Sequence, residues 1–167
     1  SNAALHWMSD LDLVFANVAR VLKPGGRLVA EMGGAGNIAK VVAALEDALC
    51  RRGIALPRPW HFPENETVAH LLRKNGFAVD RLERFERPTK IPGDLGDWLE
   101  TFATAHIAVV PEPERANLIA EVRAALQSAL HSAEGWVLDY VRLRFMAHLA
   151  PSPDALGKAP FSLIEHA

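Results

Sequence analysis

Residues 9–32 read SDLDLVFANVARVLKPGGRLVAEM, and the order of elements in this stretch decides the fold. Leu11, Val14, Phe15, Val18, Val21 and Leu22 recur at spacings of three and four, which places them on one apolar helical stripe. Ser9 and Asp10 stand where a side-chain cap would satisfy the first free N–H groups. Lys23-Pro24-Gly25-Gly26 ends the helix, because proline cannot continue it and glycine turns easily with positive φ. Arg27 to Met32 is short, rich in strand formers and enclosed by glycines, so it reads as a strand. Helix, tight turn and strand make the return half of an α/β unit.

Working outward, Gly33-Gly34-Ala35-Gly36 leads into a second amphipathic helix carrying Ile38, Val41, Val42, Leu45 and Leu49 on one face. Pro57, Pro59 and Pro63 surround Trp60, His61 and Phe62, so this segment is no central strand. The pattern then predicts a helix from Glu64 to Asn75, a strand from Phe77 to Phe85, and helices over Asp94 to Val109 and Pro111 to Leu130. Val137 to Leu149 alternates apolar and polar residues and is expected to be one long strand returning to a sheet. The organisation expected is one domain over residues 1–150, with a helical cap at about 93–132 and an unassigned tail at 151–167.

Composition excludes several classes of function. The 167 residues hold 18 basic and 20 acidic side chains, a net charge of −2, which is not the basic footprint that phosphate-backbone binding needs. One cysteine, Cys50, cannot form a disulfide within the chain, and no apolar run approaches the roughly 18 residues of a membrane span. No nucleic acid and no membrane partner is expected, and a cytoplasmic location is.

Gly34-Ala35-Gly36-Asn37-Ile38-Ala39 fits the dinucleotide-turn pattern, but the strand that should follow the next helix is broken by three prolines, so it is read as a plain turn. Glu31 lies off the Leu28, Ala30, Met32 face, as either a half-buried carboxylate facing a cleft or a salt-bridged surface group. The seven histidines show no helical ligand pair and no metal is expected. Cys50 reads as a structural thiol, Trp60 as a packing residue, and Arg142 and Arg144 as the polar face of the last strand. No catalytic residue is assignable.

Ala4-Leu5-His6-Trp7-Met8, Asp10, the helix through Val21-Leu22 and Lys23-Pro24-Gly25-Gly26-Arg27-Leu28-Val29 together resemble a class I S-adenosylmethionine-dependent methyltransferase, from the end of strand four into strand five. The Leu-His-Trp variant is similar to small-molecule enzymes of the trans-aconitate methyltransferase type. Ser1-Asn2-Ala3 matches a common expression-tag remnant and equally the family's own sequence before Ala-Leu-His-Trp. The resemblance covers about residues 2–149 and implies the C-terminal half of a Rossmann-like sheet. In that half the strands run 5-7-6, strand seven is antiparallel, and a helical insertion lies between strands six and seven.

It further implies that the backbone around Asn2, Ala3 and Ala4 sits beside the methionine part of the cofactor, and that His6 and Trp7 border both cofactor and acceptor. Glu31, Met32, Gly33 and Gly34 would wall the acceptor pocket, and Trp60 is placed beside it as a substrate-pocket candidate. The function implied is methylation of a small acceptor, carboxylic acids included, by a chain inactive alone because the glycine-rich cofactor turn is missing. The alternative is a non-enzymatic interaction module that keeps only the scaffold. On either reading strand five lacks its strand-four neighbour, so self-association through an open edge is expected.

Overall fold

The computed structural model describes residues 1–151; the tail expected at 151–167 therefore falls, from residue 152 onward, outside the described residues. The helices are α1 (Leu11–Val21), α2 (Ala39–Cys50), α3 (Asn65–Lys74), α4 (Leu95–Phe102), α5 (Thr104–Ala108) and α6 (Glu112–Leu130). The strands are β1 (Arg27–Gly33), β2 (Phe77–Glu86), β3 (Thr89–Lys90), β4 (His131–Ser132), β5 (Gly135–Leu138) and β6 (Val141–Leu149).

The principal sheet has the order β1-β6-β2, with β6 antiparallel to both neighbours. Alternation along β6 buries Val141, Leu143, Phe145 and Ala147. The last three join Ala30 and Met32 of β1 in a core closed by Leu11 and Phe15 of α1 and by Val68 and Leu72 of α3. Asp10 caps α1 by accepting from Leu13 N–H at 2.9 Å. The opposite face of the sheet carries ion pairs centred on Glu31, Arg144 and Glu83.

A second apolar cluster joins α2, α4 and α6 to the small β3-β5-β4 sheet, through residues such as Leu45, Leu99, Leu118, Val122 and Trp136. Asp94 organises it. Its carboxylate caps α4 at Gly96 N–H, pairs with Arg123 and accepts from the Trp136 indole at 3.3 Å. Glu121 of α6 clamps α2 through Arg51 and Arg52.

Three sequence expectations are corrected. The helix expected over Asp94 to Val109 is two helices, because Ala103 leaves helical geometry (φ −103°, ψ 25°) and turns the chain so that His106 is buried. The strand expected over Val137 to Leu149 breaks at Asp139-Tyr140. There the Asp139 carboxylate accepts from Lys40 N–H and its carbonyl from Ile38 N–H, so Asp139 serves the start of α2 and β5 and β6 enter different sheets. Cys50 is exposed at the end of α2 and holds no core position.

The β1 edge is not wholly open. Ser1 to Ala3 runs parallel beside it, with Glu31 N–H donating to the Ser1 carbonyl at 3.0 Å and Ala3 N–H to the Glu31 carbonyl at 2.8 Å. Among the described residues nothing pairs with the outer edge of Arg27 to Val29 apart from the Val29 carbonyl, which accepts from the Ser1 amine.

Candidate functional site

Ligands of open α/β sheets bind beyond the carboxyl ends of strands, and here the end of β1 opens on a cavity of about 170 Å³. Two of its lining residues are Ala3 and Ile38, with φ of 53° and 48°. Among the described residues they are the two non-glycine positions with positive φ. Such geometry costs about 1–3 kcal/mol per residue and persists where the surroundings enforce it, typically at functional sites. Ile38 is held by its N–H bond to the Asp139 carbonyl, and neighbouring Asn37 accepts from Val141 N–H at 2.9 Å. Larger hollows of about 310 Å³ beside Lys40 and Asp139 and 540 Å³ between α4, α5 and α6 contain carboxylates and no strained residue.

The walls are aromatic. Trp7 ends the short 3-10 turn Leu5–Trp7, Trp60 and Phe62 come from the proline strap, Trp98 and Phe102 from α4, and Tyr140 from the β5–β6 corner. Trp60 and Phe62 stack at 6.2 Å, and the edge of Trp7 meets Trp60 at 6.0 Å. On the far side of Trp60, its ring meets buried His106 at 4.6 Å.

The polar groups in this apolar setting are mainly donors. Arg142 lies over the Tyr140 ring, 4.6 Å from guanidinium carbon to centroid. Its Nε is buried without a hydrogen-bond partner and sits 3.9 Å from the nearest Glu31 oxygen. His6 is buried, and desolvation, with the Arg142 charge as a second cause, lowers its pKa to about 4. Burial likewise pushes the Tyr140 phenol up, keeping it a neutral donor. Among the described residues no Asp, Glu or Lys lines the cavity.

The candidates from sequence divide accordingly. Ala3, His6, Trp7 and Trp60 meet at the cavity. Asn2 bridges to Glu31, and Ala4 leads into the 3-10 turn. Gly33 closes the wall behind His6 and Phe62, and Gly34 packs on Leu143. Glu31 and Met32 do not line the cavity. Met32 points into the sheet core, as strand alternation dictates, and Glu31 points to the ion-paired face. There burial raises the Glu31 carboxyl, but Arg144 at 2.6 Å, with Arg87 and Arg142, holds it below its ordinary value.

Arg142 is corrected from an ordinary polar-face residue to a cavity-lining cation. Asn37, Ile38, Trp98, Phe102 and Tyr140 are further lining residues that sequence reasoning did not single out. The strained Gly34-to-Ala39 turn was the available signal for Asn37 and Ile38.

The fold matches part of solved methyltransferase structures. The chain superposes on a loganic acid methyltransferase with S-adenosylhomocysteine at a TM-score of 0.58 and 15% identity, covering 90% of this chain and 60% of that one. A Bacillus halodurans protein proposed as a methyltransferase gives 0.51 and 16%, over 90% and 62%. Residues 1–30 match the methyltransferase domain family. An uncharacterized methyltransferase of Schizosaccharomyces pombe is 36% identical over 159 residues, 89% of this chain and 60% of its own length. The mitochondrial arginine-hydroxylase NDUFAF5 of Dictyostelium discoideum is 30% identical over 84 residues, 50% of this chain and 19% of its length. The chain thus spans about 60% of the length of the Schizosaccharomyces pombe relative and 19% of the Dictyostelium discoideum one. Among the described residues no helix is long and apolar enough to cross a membrane.

Proposed function

We propose that the chain carries the acceptor side of an S-adenosylmethionine-dependent methyltransferase whose acceptor is a small carboxylic acid. The observation that carries the reading is Arg142, a cation with an unpartnered Nε set among aromatic rings in a cavity without a carboxylate. The nearest carboxylate, Glu31 at 3.9 Å, makes no hydrogen bond to Arg142 and is bound more closely by Arg144 and Arg87, so the buried Nε keeps a donor for an anionic ligand. A planar fork also matches a carboxylate better than a point charge does. The cavity volume suits a small acid whose body stacks on Trp60, Trp98 or Tyr140.

The cofactor's neighbours on this reading are Asn2, Ala3, Ala4, His6 and Trp7. Ala3, in left-handed geometry, lines the cavity, and the exposed Trp7 ring offers a π face to a sulfonium. These residues fit the methionine end of the cofactor. The glycine-rich turn and ribose-holding acid have no counterpart in residues 1–167, so the chain by itself should bind cofactor weakly.

When bound, the cofactor would supply an activated methyl group on its sulfonium, for which a carboxylate oxygen held by this chain would be the nucleophile. Arg142 holds the acid, the aromatic walls exclude water, and positioning supplies the rate. A carboxylate is already an anionic nucleophile at neutral pH, which matches a cavity without an evident base.

The full-length gene product, incubated with methyl-labelled S-adenosylmethionine and a panel of small acids, amines and phenols, tests the reading. Base-labile methyl esters formed from acids alone are the expected result. Label on amines or phenols, or on no small molecule, would overturn it.

A further inference from the structure

His6 is held from two sides. Its carbonyl accepts from His61 N–H at 2.8 Å, and its Nδ1 accepts from Gly33 N–H at 3.2 Å. A backbone N–H only donates, so Nδ1 has to present its lone pair and the ring proton of the neutral imidazole sits on Nε2. Gly33 makes the close approach possible, since a Cβ there would stand 2.7 Å from Phe62 Cε1 and 2.9 Å from Asn37 Nδ2. The imidazole is bracketed by Trp7 at 5.7 Å and Phe62 at 5.8 Å, which fix its plane.

From this geometry, and resting on the acceptor reading above, we infer that His6 is a specificity-determining residue. It is a locked N–H donor through Nε2 that grips one oxygen of the acceptor's acid group while Arg142 grips the other, and it does not take a proton from the acceptor.

The surroundings oppose any second role. The titratable and charged groups around His6 are Arg142 and Tyr140 at the cavity, Glu31 on β1 and His61 on the strap. Glu31, the one acid among them, is occupied by Arg144 and Arg87. Protonating Nδ1 would strip the Gly33 N–H of its acceptor and set a second cation near Arg142, with no acid free to offset it. The polar side chains facing the ligand are therefore donors. Acceptors that are anions on arrival are bound, whereas phenols and ammonium groups, which must first lose a proton, find no base here.

Nitrogen-15 histidine spectra of the chain test the lock directly. His6 should show a bare Nδ1 and a protonated Nε2, unchanged between about pH 5.5 and 8.5. Benzoate serves as the binding probe and benzamide as its neutral counterpart, both read by tryptophan fluorescence, since Trp7, Trp60 and Trp98 line the cavity. His6→Phe keeps a ring but no polar atom and should weaken benzoate about tenfold or more while leaving benzamide within about twofold. His6→Gln keeps a donor near the Nε2 position and should recover part of the loss.

A proton on Nδ1, an imidazolium titrating near neutrality, equal losses of benzoate and benzamide, or no benzoate response in the unaltered chain would each overturn the assignment. The tautomer and the benzoate preference are read without cofactor. A protein that methylates no acid can thus still bear out the His6 assignment, and a misplaced proton sinks it even if methyl esters form.

Discussion

The Trp98 indole N–H donates to the Tyr140 hydroxyl at 2.9 Å, so one hydrogen bond ties the helical layer to the corner where the chain crosses from the small sheet into β6. Tyr140→Phe leaves a largely buried N–H without an acceptor. We expect a loss of about 1–3 kcal/mol, the penalty of an unsatisfied buried donor, read as a lower urea midpoint with an unchanged slope. A midpoint equal to the parent's would mean that water reaches the indole.

Much of the scaffold was legible in the sequence because its signals were local. The Leu11-to-Leu22 stripe, the Asp10 cap and the glycine-bounded Arg27-to-Met32 run each report on their own neighbourhood, and each is found within a residue of its expected place. The breaks at Ala103 and Asp139 were not legible, since neither residue is a helix or strand breaker. Asp139 ends its strand because its carboxylate is needed at Lys40, a contact 99 residues away in sequence. The cavity was half legible for the same reason. His6, Trp7 and Trp60 announce themselves by residue type, whereas Arg142 looks like any strand-face arginine until Tyr140, Trp98 and the strap are folded around it.

Gly33 is constrained by space and not by φ. A methyl group there meets Phe62 at 2.7 and 2.8 Å, and both atoms belong to a ring already packed against His6 and Trp60. Gly33→Ala should cost about 1–3 kcal/mol through overpacking and push Phe62 into the cavity. Benzoate affinity should fall with stability, whereas Gly34→Ala, which crowds Leu143 on the β6 side, should lower stability with less effect on binding. Equal affinity in Gly33→Ala and the parent would place the ligand elsewhere.

Acid should destabilise the fold in two stages. His6 has a folded pKa of about 4 against an ordinary value of 6.5, so between those values the unfolded chain binds more protons. Stability is then greatest above pH 6.5 and falls as pH drops toward 4, by about 2–3 kcal/mol in all. His106, lowered chiefly by burial, acts in the same direction. Glu31 and Asp94, whose carboxyls are held low in the fold, extend the loss below their unfolded values. Urea titrations from neutral to acid pH check this, and His6→Gln should flatten the upper stage only. A profile level down to about pH 5 would mean that His6 is solvated.

The uncovered part of the β1 edge bears on association. Val29 is 52% exposed there, and Val21 at the end of α1 is 70% exposed. Backbone groups of an edge strand pair readily with a like edge, and antiparallel pairing about a two-fold axis near Arg27 would be self-complementary. Ser1 to Ala3 covers Glu31 and takes the Val29 carbonyl, so among the described residues Arg27, Leu28 and the Val29 N–H are the part of the edge that a second copy would meet. Light scattering should therefore show a mass that rises with concentration. Val29→Lys should return it to that of one chain, since a charge on the edge opposes pairing without touching the core. A constant monomer mass across the concentration range would show that the edge is too short to hold a partner, and would leave the ion-paired face of the sheet as the surface to probe next.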